Sequence, residues 1–129
     1  MSNPDVVNRY FETMNAERWD EFAAVWTDDA VVVPVGTRPR RGPGEIVAFY
    51  SGLFKAWSTH WDQPVRFLTS ADGWIAATVT FTGRSQRGRD ISFDAVDVFE
   101  FREGRICALQ NYYDLLLVRS LLAEEPAAG

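Results

Sequence analysis

The stretch ISFDAVDVFEFREGR, residues 91–105, repeats with the two-residue period of a β-strand. Phe93, Ala95, Asp97, Phe99 and Phe101 share one face, and Asp94, Val96, Val98 and Glu100 share the other. One acid, Asp97, therefore interrupts an otherwise apolar row. The stretch closes on REG, a turn signal that hands the chain directly to another run of alternating residues.

Working outward, the same period covers most of the second half. Pro64 to Ser70, Trp74 to Arg84, Asp90 to Arg102 and Arg105 to Tyr113 read as four strands, divided by ADG, QRG and REG. Turns this tight predict an antiparallel meander. In the first half the period is helical. Asn3 is the expected N-cap, with Pro4 and Asp5 in the first turn, and Val6, Val7, Tyr10, Phe11 and Met14 form the buried stripe. A second short helix carries Trp19, Phe22, Ala23 and Trp26. AVVVPV is a brief strand, GTRPRRGPG a loop, and Glu45 to Trp57 a third helix with Ile46, Tyr50, Leu53, Phe54 and Trp57 on one face. Three helices with one small strand, followed by a long sheet, make an α+β domain. That domain spans 1–122, with LLLVRSLL either a short helix or an extended apolar tail, and 123–129 is expected to be disordered.

Composition narrows the function. The chain has 129 residues, 47% hydrophobic and 14% aromatic, enough to build a core and line a cavity as well. A net charge of −5 is wrong for nucleic acid, which demands clustered cations, and the short TRPRRG segment reads as a solvated loop. Cys107 is the only cysteine and reads as a small core residue, so no internal disulfide can form. No apolar run approaches the roughly 20 residues of a membrane span. MSNPDVVNRY lacks the basic-then-apolar order of a signal peptide, and a cytoplasmic location is expected. There is no phosphate loop, nucleotide fingerprint or metal-ligand spacing, so neither cofactor nor metal is expected. His60, the sole histidine, has no triad or metal partners in the sequence and reads as structural or exposed rather than catalytic.

VVNRYFETMNAERWDEFAAVWTDDAVVVPVGTRPRRG, then IVAFY, then DVFEFREGRI resemble the NTF2-like superfamily, in particular ketosteroid isomerases and SnoaL-like polyketide cyclases. The resemblance implies a cone-shaped fold, in which a curved antiparallel sheet wrapped by three N-terminal helices encloses an apolar cavity. It also implies a small apolar substrate and a homodimer, for which Val96, Val98 and Leu109 are the expected contacts.

By the same resemblance, Tyr10 matches the tyrosine that donates to a developing enolate oxygen, Asp97 the protonated aspartic acid that donates a second hydrogen bond, and Tyr50 a supporting tyrosine. Burial of Asp97 on an apolar face would keep it neutral at pH 7. The isomerases' catalytic base falls at Val33, which cannot accept a proton. The NYYDLLLV segment resembles the last strand of limonene-type epoxide hydrolases, which makes Asp114 a candidate acid or base. The Arg and Asp partners of those hydrolases fall at Thr78 and Thr80. Trp26, Trp57, Phe99, Thr78 and Val33 are expected to contact substrate beside Tyr50.

Three functions follow. The first is a cofactor-independent isomerase, cyclase or dehydratase acting on a polyketide, terpenoid or steroid-like carbonyl compound, with Tyr10, Asp97 and Asp114 as its catalytic groups. The second is an epoxide hydrolase or epoxide-opening cyclase. The third is a non-catalytic binding or dimerisation module.

Overall fold

The computed structural model describes residues 1–123; the predicted disordered tail lies, apart from Ala123, outside the described residues. The chain forms an α+β domain in which helices α1 (Asn3–Asn15), α2 (Trp19–Ala23) and α3 (Gly42–Leu53) pack on a curved sheet of six strands. The strands are β1 (Trp26–Val33), β2 (Arg40–Arg41), β3 (Trp57–Thr69), β4 (Ile75–Ser85), β5 (Asp90–Arg102) and β6 (Arg105–Tyr113), and helix α4 (Leu115–Ala123) follows. Their order across the sheet is β2-β1-β6-β5-β4-β3.

The meander from β3 to β6 is antiparallel throughout, but β1 runs parallel to β6. The sheet is therefore mixed, where the sequence led to an antiparallel one. The short loops after β3, β4 and β5 dictate antiparallel neighbours, whereas β1 reaches β6 only after the whole meander has been laid down.

Element ends also move. Ser2, not Asn3, caps α1: its Oγ accepts from the Asp5 amide at 3.2 Å while Asp5 Oδ2 accepts from the Ser2 amide at 3.1 Å. Asn3 instead donates to the Gly73 carbonyl at 3.2 Å, tying α1 to the β3–β4 turn. Trp26 opens β1 rather than closing α2. α3 ends at Leu53, so Trp57 to Gln63 belong to β3.

One irregularity positions the interior. Between β5 and β6, Phe99 faces Leu109 and Glu100 faces Ala108, but Phe101 faces Ile106, leaving Cys107 as an extra residue. This β-bulge reverses the in-out phase of β6, so Ile106 and Leu109 are both fully buried. Leu109 thus belongs to the core and not to the outer face expected of it. The same shift aims Asn111 and Tyr113 inward. Along β4 and β5 the expected alternation holds, with Ile75, Ala77, Val79, Phe81, Ala95, Asp97 and Phe99 all buried.

Candidate active site

A cavity of about 360 Å³ lies between the sheet and the helices. Tyr10 and Met14 reach it from α1, Phe49 and Tyr50 from α3, and Trp57 and Asp62 from β3. Phe81, Phe93, Ala95 and Asp97 supply the central wall, and Asn111 and Tyr113 the adjoining one. Pro34 to Thr37 and one side of α4, through Leu115, Val118, Arg119 and Leu122, frame the remaining side. The terminal LLLVRSLL segment is thus a helix that borders the cavity and leaves it unfilled.

The polar groups converge in an aromatic setting. The Tyr10 and Tyr50 hydroxyls lie 3.0 Å apart, both buried. Tyr10 is fixed by edge contacts to Phe11, Trp26, Tyr50 and Phe99, with ring centroids 4.9 to 6.2 Å away. Burial first, and then the nearby Tyr50 and Asp97, holds the Tyr10 phenol well above its ordinary range. Burial and Asp97 raise Tyr50 likewise. Both phenols stay protonated, and because one hydroxyl donates to the other, one O–H of the pair remains free to donate into the cavity.

Asp97 is 4% exposed. Burial pushes its pKa up to about 6, against the opposing effect of the 2.8 Å hydrogen bond donated by Asn111 Nδ2. Burial thus moves the group toward the neutral form expected of its apolar row, and both its forms are accessible around neutrality.

Asp62 is a second acid on the same cavity wall, and the sequence did not single it out. Asn15, at the end of α1, donates to the Asp62 carbonyl at 2.9 Å and accepts from its amide at 2.8 Å, which clamps the backbone of this residue. Burial, reinforced by the Asp97 charge, pushes Asp62 to about 7. The two acids titrate around neutrality as an interacting pair. A proton acceptor and a proton donor can therefore coexist there at one pH.

The other expected site residues disperse. Trp57 lines the cavity with Tyr10, Tyr50 and Asp97. Trp26 and Phe99 are fully buried behind the cavity, holding Tyr10 rather than facing the space. Val33 ends β1 just before the lining turn, and its neighbours Pro34 and Val35 reach the cavity instead. Thr78 pairs with Val96 on the opposite face of the sheet, in a groove with Val65 and Tyr112, because it alternates with the inward Ala77 and Val79. Asp114 is exposed and caps α4, its Oδ1 accepting from the Leu117 amide at 2.9 Å. His60 stacks on Phe54 with centroids 3.8 Å apart and sets Nε2 3.4 Å from Glu17 Oε2, outside the cavity lining. Among the described residues no group of three or more His, Cys, Asp or Glu side chains is arranged to hold a metal ion, and no helix is long and apolar enough to cross a membrane.

Residues 7–109 match the SnoaL-like domain, and the chain belongs to that family, within the NTF2-like superfamily. Its fold superposes with a TM-score of 0.87 on a provisionally assigned SnoaL-like polyketide cyclase from Jannaschia sp. CCS1, at 17% identity over 96% of this chain and 93% of that one. A provisionally assigned polyketide cyclase from Pseudomonas putida KT2440 gives 0.82 at 22% identity, over 90% and 94%. TerC, crystallised with polyporic acid, gives 0.85 at 15% identity, over 95% and 98%.

Proposed function

We propose that this chain is a cofactor-independent acid–base enzyme that moves protons on a small, largely apolar carbonyl compound, in an isomerisation, cyclisation or dehydration. The observation that carries this reading is the pair of acids, Asp97 near 6 and Asp62 near 7, facing one aromatic cavity with two protonated phenols. The Asp97 carboxylate takes a proton from the carbon beside the carbonyl, and the electron pair moves onto the oxygen. Tyr10, supported by the hydroxyl of Tyr50, donates to that oxygen, such a donor contributing on the order of 3 kcal/mol to the transition state. Protonated Asp62 then delivers a proton to the enolate, and the pair resets by proton exchange. This supplies the base that position 33 lacks, from a different wall of the cavity.

The family and its folds accord with this class of reaction, and TerC's polyporic acid with a small ligand in such a scaffold. The epoxide-opening reading draws no such support, since Asp114 is used as a helix cap and Thr78 faces away from the cavity. A homodimer through the outer sheet face rests on the exposed Val65, Val96 and Tyr112, which neighbour one another there.

Hydrogen–deuterium exchange into 2-tetralone in heavy water, followed by NMR, tests the proton-transfer step. The parent protein is expected to accelerate exchange beside the carbonyl, and Asp97→Asn to lose at least a hundredfold of that acceleration while melting cooperatively. Exchange no faster than buffer, or unchanged in Asp97→Asn, overturns the reading.

A further inference from the structure

The proton-transfer reading leaves one charged group of the cavity unused. Arg119, on α4, is the sole Lys, Arg or His among the described residues lining the space, and no carboxylate among them pairs with it. Its charge acts on the Tyr113 phenol, opposing the upward effect of burial, so the guanidinium stands near the wall that also carries Asn111.

A second guanidinium meets the same edge. Arg40 lies over the Phe49 ring, 4.7 Å from its centroid, and donates to Thr37 Oγ1 at 3.4 Å. Phe49 and Thr37 both line the cavity. Gly36, beside Thr37, packs so closely on Leu115 that a Cβ there would collide with the leucine side chain. Arg119 follows Leu115 by one helical turn. Both arginines therefore flank the junction where the Pro34–Thr37 turn meets α4.

The cavity is thus electrically polar, with two acids on its buried wall and two guanidiniums at the rim. A ligand anion is repelled from the first and drawn to the second. A planar guanidinium fork suits a carboxylate. A cavity of about 360 Å³, near the lower end of the roughly 300–1,000 Å³ usual for ligand sites, holds a compact apolar body.

Resting on the proton-transfer reading, we propose that Arg119 and Arg40 form a carboxylate-recognition rim, so that the substrate is a compact, largely apolar keto acid bound carboxylate outward. Its enolisable carbonyl then lies toward Asp97, and the charge distribution fixes the direction of entry.

Titration with 2-naphthoic acid and with its methyl ester, followed by tryptophan fluorescence, tests the rim. The parent is expected to bind the acid more tightly than the ester. Arg119→Gln should weaken acid binding by about tenfold and Arg40→Gln by a few-fold, with ester binding unchanged in both. Arg119→Lys should recover part of the loss, and high salt should erode the acid's advantage.

Equal losses for acid and ester would make Arg119 a packing residue, and an unchanged acid affinity in Arg119→Gln would remove it from recognition. Competition by inorganic phosphate as effective as by the acid overturns the carboxylate assignment. Each of those results leaves tetralone exchange by Asp97 standing. Conversely, an intact acid preference with no tetralone exchange would keep the rim while sinking the proton-transfer reading. Binding of neither probe overturns the rim and leaves the proton-transfer reading to the tetralone exchange.

Discussion

Asn111 Nδ2 donates a 2.8 Å hydrogen bond to Asp97 Oδ1 from the neighbouring strand. It stabilises the ionised carboxylate against the burial that opposes it. Asn111→Leu removes that donor, so the Asp97 pKa should rise above 6, by about one pH unit if the bond is worth on the order of 1–2 kcal/mol. The acid limb of tetralone exchange, plotted against pH, should move upward with it. A limb that stays in place would show that Asp97 is not the base.

Gly36 has φ +71 and faces Leu115 across the cavity edge. Gly36→Ala combines a left-handed backbone with a side-chain collision, and should destabilise the fold by about 1–2 kcal/mol, read as a lower Tm. Adding Leu115→Ala removes the collision but not the backbone cost. The double variant should therefore lose less than the two single effects summed, a coupling that thermal melts of all four proteins would reveal. Strict additivity would mean that the turn and α4 do not meet.

Val96 is 37% exposed on the outer sheet face, beside the more exposed Val65 and Tyr112. If this face pairs two copies, Val96→Lys places like charges against each other at the contact and should raise the dimer dissociation constant at least tenfold. Light scattering across a dilution series measures it. A parent protein that remains monomeric at high concentration would refute the pairing.

The strand containing Asp97 was legible because its inner face is apolar from Phe93 to Phe101 at every second residue except Asp97 itself. Tyr10 was legible for the analogous helical reason, lying on the stripe of α1. Asp62 and Asn111 were not. Asp62 falls in THWDQ, which has no clean alternation and precedes a proline, so the strand was expected to begin only at Pro64. Asn111 points inward because of the bulge at Cys107, and nothing in ICALQNYY marks an extra residue. The parallel β1–β6 pairing is likewise a long-range event that no local period encodes. Asp114 was legible only as two alternatives, an acid or base or a cap of the terminal segment, and its Oδ1 accepts from the Leu117 amide as a cap does.

The buried acids also govern stability. Asp97 and Asp62 have folded pKa values raised from 3.8 to about 6 and about 7, so the folded state holds their protons more tightly than the unfolded chain does. Their contribution favours folding fully below about pH 4 and is lost as pH rises through about 6 and then 7. For Asp97 a rise of roughly 2 pH units corresponds to about 3 kcal/mol. The exposed acids work in the opposite sense: Asp29 and Asp90 are held low by Arg102 and Arg84, and their contribution disappears only on strong acidification. Between about pH 5 and 8 the buried pair should therefore dominate, and chemical denaturation should give a lower unfolding free energy at pH 8 than at pH 5.5. Asp97→Asn, which cannot ionise, should flatten that slope and raise stability at pH 8 relative to the parent. A parent whose stability rises from pH 5.5 to 8, or a variant with the same slope, would show that Asp97 does not titrate as a buried acid.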